Sequence, residues 1–194
     1  MPEQKPGAGD AGSSGLRVVL DACVLYPTIL REILQAAGEA GLYTPLWSER
    51  ILREWQLATQ KIGPEAVATA RVESTLFADA FPGGLVPPDP AIENRLFLPD
   101  PGDRHVLATA ISGRADAILT FNLQDFPRSI LAGEGVARRE PDEFLWELAS
   151  RAPYRMAGII DDTRQRAEDL SGHPITTRSL LKRLRLFRLA KAVG

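Results

Sequence analysis

The sequence predicts an α/β fold with a central parallel sheet, followed by a small helical extension. Two apolar runs have the composition of strands that are buried on both faces of a sheet, LRVVLDACVLY (16–26) and ADAILTFN (115–122). Between them, apolar residues recur every three or four positions, which is typical of amphipathic helices. From Pro141 onward only the helical pattern remains. Alternating strands and helices with short connections favour a parallel sheet that is covered by helices on both faces.

The first half of the chain is predicted to alternate between strands and helices. Its predicted elements are a strand over 16–26, a helix that follows Pro27 and stops at Gly38 or Gly41, a short strand over 42–48, a helix with Ser48 as its N-cap, and a helix over 64–80. Residues 1–15 are rich in Pro, Gly, Ser and Ala, which predicts a flexible tail. These residues lack the apolar core of a signal peptide, so we expect a cytoplasmic protein.

The second half continues the alternation with weaker signals. Residues 81–103 are rich in turn-forming residues, which predicts one or two short strands at most. A helix is expected over 103–113, with Asp103 as its N-cap and Gly113 as its stop. The strand over 115–122 follows, and a loop comes after it.

The composition restricts the kind of functional site that the chain can build. The chain has 194 residues, of which 44% are hydrophobic and 25% charged, which are ordinary globular values. The single cysteine, Cys23, excludes an internal disulfide and a thiolate zinc site, and two histidines cannot form an all-histidine site. Any metal is therefore expected to be a hard cation held by carboxylates. No apolar run approaches the roughly 20 residues of a membrane span, so no membrane association is expected.

Several acidic residues are expected at the carboxyl ends of the predicted strands, where sites form in open α/β sheets. Asp21 interrupts the first strand, where a buried charge is unfavourable unless it is paired or neutralised. The other candidates lie on the second helix, around the start of the third helix, and after the last strand: Glu54, Asp100, Asp103, Asn122 and Asp125. Carboxylates from separate elements at one sheet edge predict an oxygen-lined pocket for Mg²⁺ or Mn²⁺.

Each of these residues also has a purely structural interpretation. Asp103 is placed as a helix N-cap, Asp125 as the start of an Asx-turn, and Asp100 as a turn residue. Glu54 is compatible with a solvated helix position, and Glu49 is its nearest competitor for the site. The remaining polar and aromatic candidates are assigned structural roles: His105 on a helix surface or facing the substrate, Cys23 as a small core residue, and Trp47, Trp55 and Trp146 as packing residues.

Four segments, LDACVLYP, SERILREW, LPDPGDRHVLATAI and ILTFNLQDFP, resemble in order the motifs of PIN-domain ribonucleases. The resemblance covers about residues 16–140. It implies a three-layer flavodoxin-like fold and cleavage of RNA that depends on Mg²⁺ or Mn²⁺. By position, the residues similar to the family's acidic quartet are Asp21, Glu54, Asp103 and Asp125. Asn122 is similar to the polar residue that orients the quartet, and Asp100 is an additional acidic neighbour.

The resemblance also carries expectations about partners. Many bacterial members are toxins that a small antitoxin protein holds inactive, and members often form homodimers. Residues 141–194 make this chain similar to a longer subgroup that has a helical C-terminal extension.

Two other functions compete with the metal-dependent endoribonuclease. One is a catalytically weak RNA-binding or regulatory module with the same fold. The other is an aspartate-based phosphatase, which also has an aspartate at the end of the first strand. That chemistry usually needs a second aspartate two residues later, where this chain has Cys23, and a lysine near the later acidic pair, where none lies between Lys61 and Lys182.

The C-terminal segment is basic although the rest of the chain is acidic. After Asp169 the chain carries a charge of +6, whereas the first 169 residues carry −8. A helix is predicted after an N-cap at Thr176 or Thr177, with Arg178, Lys182, Arg185 and Arg188 on one face and Leu180, Leu184 and Phe187 roughly opposite. The basic face is interpreted either as a solvated surface or as a contact for RNA phosphates, and the apolar face as a contact for the domain or a partner.

Overall fold

The computed structural model of the chain describes residues 15–193, so the predicted tail lies, apart from Gly15, outside the described residues. The strands within this range are β1 (Arg17–Leu20), β2 (Thr44–Leu46), β3 (Ala117–Leu119) and β4 (Ala137–Arg139). They form one sheet in the order β2-β1-β3-β4, and every neighbouring pair is parallel. Helices flank the sheet, which confirms the predicted α/β architecture.

Helices make up most of the rest of the described chain. The α-helices are α1 (Ala22–Leu25), α2 (Thr28–Glu39), α3 (Glu49–Ala58), α4 (Pro64–Ala80), α5 (Pro90–Arg95), α6 (Arg104–Ser112), α7 (Arg128–Gly133), α8 (Pro141–Arg151), α9 (Pro153–Ser171), α10 (Thr177–Arg183) and α11 (Phe187–Val193). Short 3₁₀ turns lie at Thr59–Lys61, Pro82–Gly84 and Pro101–Asp103. None of the helices within residues 15–193 is long and apolar enough to cross a lipid bilayer.

The two central strands determine where the functional site can form. Val19 and Leu20 on β1 and Leu119 on β3 are fully buried, as expected for strands that are covered on both faces. The register pairs Leu20 with Leu119. Both strands therefore end at the same level, and the residues that follow them, Asp21 and Thr120, are neighbours at the carboxyl edge of the sheet.

The predicted strand over 16–26 is wrong in its second half. β1 ends at Leu20, and Asp21 is the extended N-cap residue of the short helix α1. The helical turn buries Val24 and Leu25. An unbroken apolar run does not distinguish a strand from a strand followed by a buried helical turn, because both bury every side chain. The corrected boundary places Asp21 at the end of the strand and not within it.

Several helix boundaries are confirmed. The helix after Pro27 ends at Glu39, and Gly41 adopts the left-handed conformation with φ 70°. The hydroxyl of Ser48 accepts a hydrogen bond from the N–H of Ile51 at 3.3 Å, which confirms its capping role. The predicted helix over 64–80 coincides with α4.

Besides α1, three elements were not predicted: α5, α7 and β4. Residues 81–103 contain α5 and no strand beyond a bridge between Trp47 and Leu85, among the described residues. Asp89 caps α5, since its carboxylate accepts from the N–H of Ala91 at 2.8 Å. β4 has the sequence Ala-Arg-Arg, so no apolar alternation marks it as a strand. It lies at the edge of the sheet, where few side chains need to be buried.

The C-terminal helices pack against the α/β unit. Phe144 and Leu181 are fully buried and belong to the same hydrophobic cluster as the sheet. The ring of Phe144 meets Tyr43 edge to face at 5.1 Å between centroids. The carboxylate of Asp142 on α8 accepts hydrogen bonds from the N–H groups of Arg188 and Leu189 at 2.9–3.0 Å, which fastens the start of α11. The division of the chain at residue 140 stays a prediction.

The predicted single tail helix is wrong, although its N-cap at Thr176 is confirmed. The helix breaks into α10 and α11 at Arg185, which has a left-handed backbone with φ 62°. Leu186 is buried at the break, whereas Phe187, which was expected on the apolar face, is 54% exposed. Trp146, expected to be a packing residue, is 40% exposed. The guanidinium of Arg188 lies over its ring, 5.3 Å from the ring centroid.

The burial of the extension predicts that a core substitution in α10 destabilises the protein. We expect Leu181→Ala to lower the free energy of unfolding by about 2–4 kcal/mol, because it leaves a cavity in the shared core. Leu170→Ala on α9 is the matched control, since Leu170 is 82% exposed. Urea denaturation followed by circular dichroism measures both variants. Equal, small losses for the two variants would contradict the packing described here.

Candidate functional site

Asp21 is held at the carboxyl end of β1 by a network of hydrogen bonds. Its side chain is nearly buried, and its N–H donates to the carbonyl of Leu119 at 3.1 Å. One carboxylate oxygen accepts from the hydroxyl of Thr120 at 2.6 Å and from the thiol of Cys23 at 3.0 Å. These two donors fix the rotamer of Asp21 and offset part of the cost of burying its charge.

Cys23 is half-buried and acts as a hydrogen-bond donor to Asp21. Burial and the negative charge of Asp21 raise the pKa of its thiol to about 12. The thiol therefore stays protonated at neutral pH, which favours a supporting role over nucleophilic chemistry. Cys23 was expected to be a simple core residue, and its contact with Asp21 is an addition to that expectation.

Asp103 lies at the N-cap position of α6, as predicted, but its side chain makes no capping hydrogen bond. It accepts a hydrogen bond from the side-chain amide of Asn122 at 3.1 Å. The N–H of Asn122 in turn donates to the hydroxyl of Thr120 at 2.9 Å. Thr120 therefore links the residues that hold Asp21 and Asp103.

Asp100 and Asp125 complete an acidic cluster with Asp103. Ligand oxygens of the three residues lie within 4.8 Å of one another. Asp100 also forms the expected turn, since its carboxylate accepts from the N–H of Gly102 at 2.7 Å. Asp125 makes no side-chain hydrogen bond to any residue within 15–193, so the proposed Asx-turn is absent there.

Glu54 approaches the cluster from α3 and is restrained by two basic side chains. Its carboxylate lies 2.7 Å from Nε2 of His105 and 3.8 Å from Nε of Arg50. Arg50 also donates to the carbonyl of Gly102, in the turn that carries Asp100 and Asp103. The competitor Glu49 is exposed at the start of α3.

His105 is fully buried, so the expectation of a surface position is wrong. Its Nε2 lies within hydrogen-bonding distance of Glu54, although the contact is not aligned as a hydrogen bond. Its Nδ1 has no hydrogen-bond partner among the described residues. The short distance makes His105 a direct neighbour of the acidic site, on the inner side of Glu54.

The carboxylates act on one another electrostatically. The pKa of Asp103 is raised from its ordinary value of 3.8 to about 7, first by burial and then by its four acidic neighbours, Asp21, Asp100, Asp125 and Glu54. All five predicted carboxylates are thus close enough to interact, and Asn122 contacts one of them directly. Such a concentration of oxygen donors and uncompensated negative charge fits a divalent hard cation such as Mg²⁺ or Mn²⁺.

Sequence reasoning missed three residues that support these carboxylates: Thr120, His105 and Arg50. Thr120 had a signal, because it begins the segment TFNLQDF that contains Asn122 and Asp125. Arg50 had one as well, because it lies four residues before Glu54 on the same helix, α3. His105 had none, since it lies on α6 and only the fold brings its Nε2 to 2.7 Å from Glu54.

Comparison with known proteins identifies a family model that covers most of this site. The model described as PIN domain matches residues 17–124, which is more than half of the chain. The matched segment contains Asp21, Glu54, Asp103 and Asn122, whereas Asp125 lies one residue beyond it.

A second comparison finds a relative in Mycobacterium tuberculosis, VapC50, which is named as a candidate ribonuclease. The two proteins are 38% identical over 65 residues, which cover 30% of this chain and 37% of the relative. The chain therefore matches little more than a third of that relative's length. No solved structure matches the chain significantly.

The raised pKa of Asp103 predicts how the stability of the metal-free protein depends on pH. Above the ordinary pKa of 3.8 the unfolded chain releases this proton, whereas the folded protein retains it up to about 7. The folded state binds the additional proton in this window, so its contribution to stability is lost as the pH rises through 7. We expect the thermal midpoint to fall over this range in the presence of EDTA.

Asp103→Asn removes the titrating group and should flatten this dependence. At about pH 8 the variant should melt a few degrees above the wild-type protein, because one half-buried negative charge among like charges is gone. Asp79→Asn, at an exposed position on α4, is the matched control and should follow the wild-type profile. Parallel profiles for wild type and Asp103→Asn would show that Asp103 does not titrate as described.

Proposed function

The chain belongs to the PIN domain family, and on that premise we propose that it is a divalent-metal-dependent endoribonuclease that cleaves RNA phosphodiester bonds. The observation that carries the proposal is the convergence of four carboxylates, those of Asp21, Asp100, Asp125 and Glu54, on Asp103, whose pKa is raised to about 7 by burial and by these neighbours. The ribonuclease activity in the name of the Mycobacterium tuberculosis relative supports RNA as the substrate.

In this proposal Asp21, Glu54, Asp103 and Asp125 hold Mg²⁺ or Mn²⁺, and Asp100 is an additional ligand. Such an ion supplies Lewis acidity at the phosphate and activates water. Asp100, Asp103 and Asp125 are the best-placed donors, since their oxygens lie within 4.8 Å of one another. Mg²⁺ and Mn²⁺ prefer oxygen ligands of this kind.

The surrounding residues keep the carboxylates in place before substrate arrives. Thr120 and Cys23 donate to Asp21, and Asn122 donates to Asp103. Residues with fixed rotamers cost less reorganisation during the reaction than mobile ones. Asn122 is therefore an orienting residue in this proposal, as the family resemblance implies, and Thr120 has the same role for Asp21.

A toxin role, in which a small antitoxin protein inhibits the ribonuclease, is the finer form of this proposal. It rests on the resemblance to bacterial members of the family. A homodimer remains a prediction of the same origin, and a cytoplasmic location remains a prediction from the composition of residues 1–15.

The alternatives have less support. A phosphatase that uses Asp21 as a nucleophile would need an acid–base group at position 23, but the thiol of Cys23 has a pKa near 12 and donates to Asp21. A catalytically weak RNA-binding module would not require the full acidic set. Metal binding without RNA cleavage would favour that module over the nuclease.

Asp21→Asn tests the catalytic assignment. We expect metal-dependent cleavage of labelled single-stranded RNA to fall about 100-fold or more, because a ligand at the reacting phosphate is lost. The thermal midpoint without metal should hold or rise, since repulsion within the acidic cluster decreases. Asp79→Asn is the control for a lost surface carboxylate, and EDTA should abolish cleavage by both control and wild type. Wild-type cleavage by Asp21→Asn would exclude Asp21 from the active site.

Thermal unfolding tests metal binding without relying on activity. Millimolar Mg²⁺ or Mn²⁺ should raise the midpoint of the wild-type protein, because the ions bind the folded carboxylate cluster and hardly bind the unfolded chain. The increase should be lost in Asp103→Asn and retained in Asp79→Asn. A wild-type midpoint that does not respond to either ion would contradict the proposed metal site.

A further inference from the structure

A cavity of about 530 Å³ opens beside the acidic site, between the start of α2, the end of β3 and the turn that joins α10 to α11. We call it the Phe121 cavity. Its walls include the aromatic rings of Tyr26 and Phe121 and the side chains of Leu184, Arg183 and Arg185. Its volume lies within the range of about 300–1,000 Å³ that is typical of ligand pockets.

The position of Phe121 connects this cavity to the acidic site. Phe121 lies between Thr120, whose hydroxyl donates to Asp21, and Asn122, whose amide donates to Asp103. Its own N–H donates to the sulfur of Cys23 at 3.2 Å. The Phe121 cavity and the carboxylate cluster therefore share the backbone segment 120–122, although none of the five carboxylates lines the cavity.

The chemistry of the walls combines exposed aromatic rings with available positive charge. Tyr26 and Phe121 are 39% and 37% exposed. The guanidinium groups of Arg183 and Arg185 form no salt bridge or hydrogen bond with any residue between 15 and 193. Arg188, by contrast, lies over Trp146. Arg185 is held at the cavity by a left-handed backbone conformation that arginine rarely adopts.

We propose that the Phe121 cavity binds an unpaired nucleobase of the RNA next to the phosphate at the acidic cluster, with Arg183 and Arg185 contacting the neighbouring backbone phosphates. The inference rests on the proposed ribonuclease function. Exposed aromatic rings stack on unpaired bases, and arginine supplies charge for phosphates. A base within a duplex is not free to enter, so the substrate is single-stranded at this position.

Charge favours a nucleobase with its phosphates over an apolar protein segment as the occupant of the Phe121 cavity. The first 169 residues carry −8, and the proposed metal site adds no positive charge until an ion is bound. Arg183 and Arg185, which have no acidic partner among residues 15–193, supply the attraction that an RNA needs to approach this acidic surface. An apolar peptide would bury both guanidinium groups without a partner, at a desolvation cost.

Binding of two oligonucleotides of equal charge tests the proposal. One is a labelled single-stranded oligouridylate, and the other has the same length but lacks bases. Affinities are measured by fluorescence anisotropy in the full-length Asp21→Asn background, so that the RNA stays intact. We expect the base-containing oligonucleotide to bind about tenfold more tightly if one base stacks in the cavity.

Two variants separate stacking from charge. Phe121→Leu keeps an apolar side chain but removes the ring, so it should lose the preference for bases and retain the affinity for the abasic oligonucleotide. Arg185→Asn removes the charge but keeps a residue that tolerates a left-handed backbone. It should therefore lower the affinity for both oligonucleotides and reduce the salt dependence of their binding. Arg71→Gln, at an exposed position on α4, is the matched control for a lost cation and should bind both as the parent does.

The outcomes distinguish this inference from the proposed function. Unchanged affinities in Phe121→Leu and Arg185→Asn, with thermal midpoints near that of the parent, overturn the base site, even if the wild-type protein cleaves RNA. A cavity that instead takes up a protein partner gives this same result. Affinities that change as expected in the two variants support the base site. If the wild-type protein, which retains Asp21, nevertheless cleaves no RNA, the base site stands and the proposed nuclease function is overturned.

Discussion

Parallel pairing of β1 with β3 is the constraint on which the rest of the site depends. The register places Leu20 opposite Leu119, so that Asp21 and Thr120 follow the two strands side by side. From this edge the hydroxyl of Thr120 reaches Asp21 and also accepts from the N–H of Asn122, which holds Asp103. A one-residue slip would turn each side chain to the opposite face and separate the carboxylates. The N–H of Asp21 donates to the carbonyl of Leu119, which continues the observed register beyond the end of β1.

The same constraint holds like charges together against their mutual repulsion. Burial and four neighbouring carboxylates raise the pKa of Asp103 to about 7, so the ionised cluster is electrostatically unfavourable in the folded chain. The hydrophobic core supports the arrangement from below, through fully buried side chains such as Val19 and Leu119. The favourable free energy of the core therefore maintains a group of carboxylates that repel one another, and a bound cation would reduce that repulsion. The guanidinium of Arg50 offsets part of the repulsion at Glu54.

Much of this architecture could be predicted from the sequence because hydrophobic patterning carries it. The buried valines of β1, the caps of α3 and the proline at the start of α4 each have a local signal. β4 has none, because an edge strand with the sequence Ala-Arg-Arg needs little burial. The six candidate site residues stay predictions as to their roles. Five of them have a local signal, because they follow strands or begin helical turns, whereas Glu54 lies within α3 and was favoured by the family resemblance. His105 was misplaced because its burial depends on the packing of separate helices, which the local sequence does not encode.

Arg185, the left-handed residue between α10 and α11, changes the direction of its own side chain relative to that of Arg183. In a continuous helix, successive residues are offset by 100°, so Arg183 and Arg185 would point in nearly opposite directions. The break at Arg185 resets this phase, and both side chains line the same cavity. Buried Leu186 and the Asp142 cap on α11 fix the chain on the far side of the break. The arrangement of positive charge at this surface is therefore determined by one backbone torsion as much as by the number of basic residues.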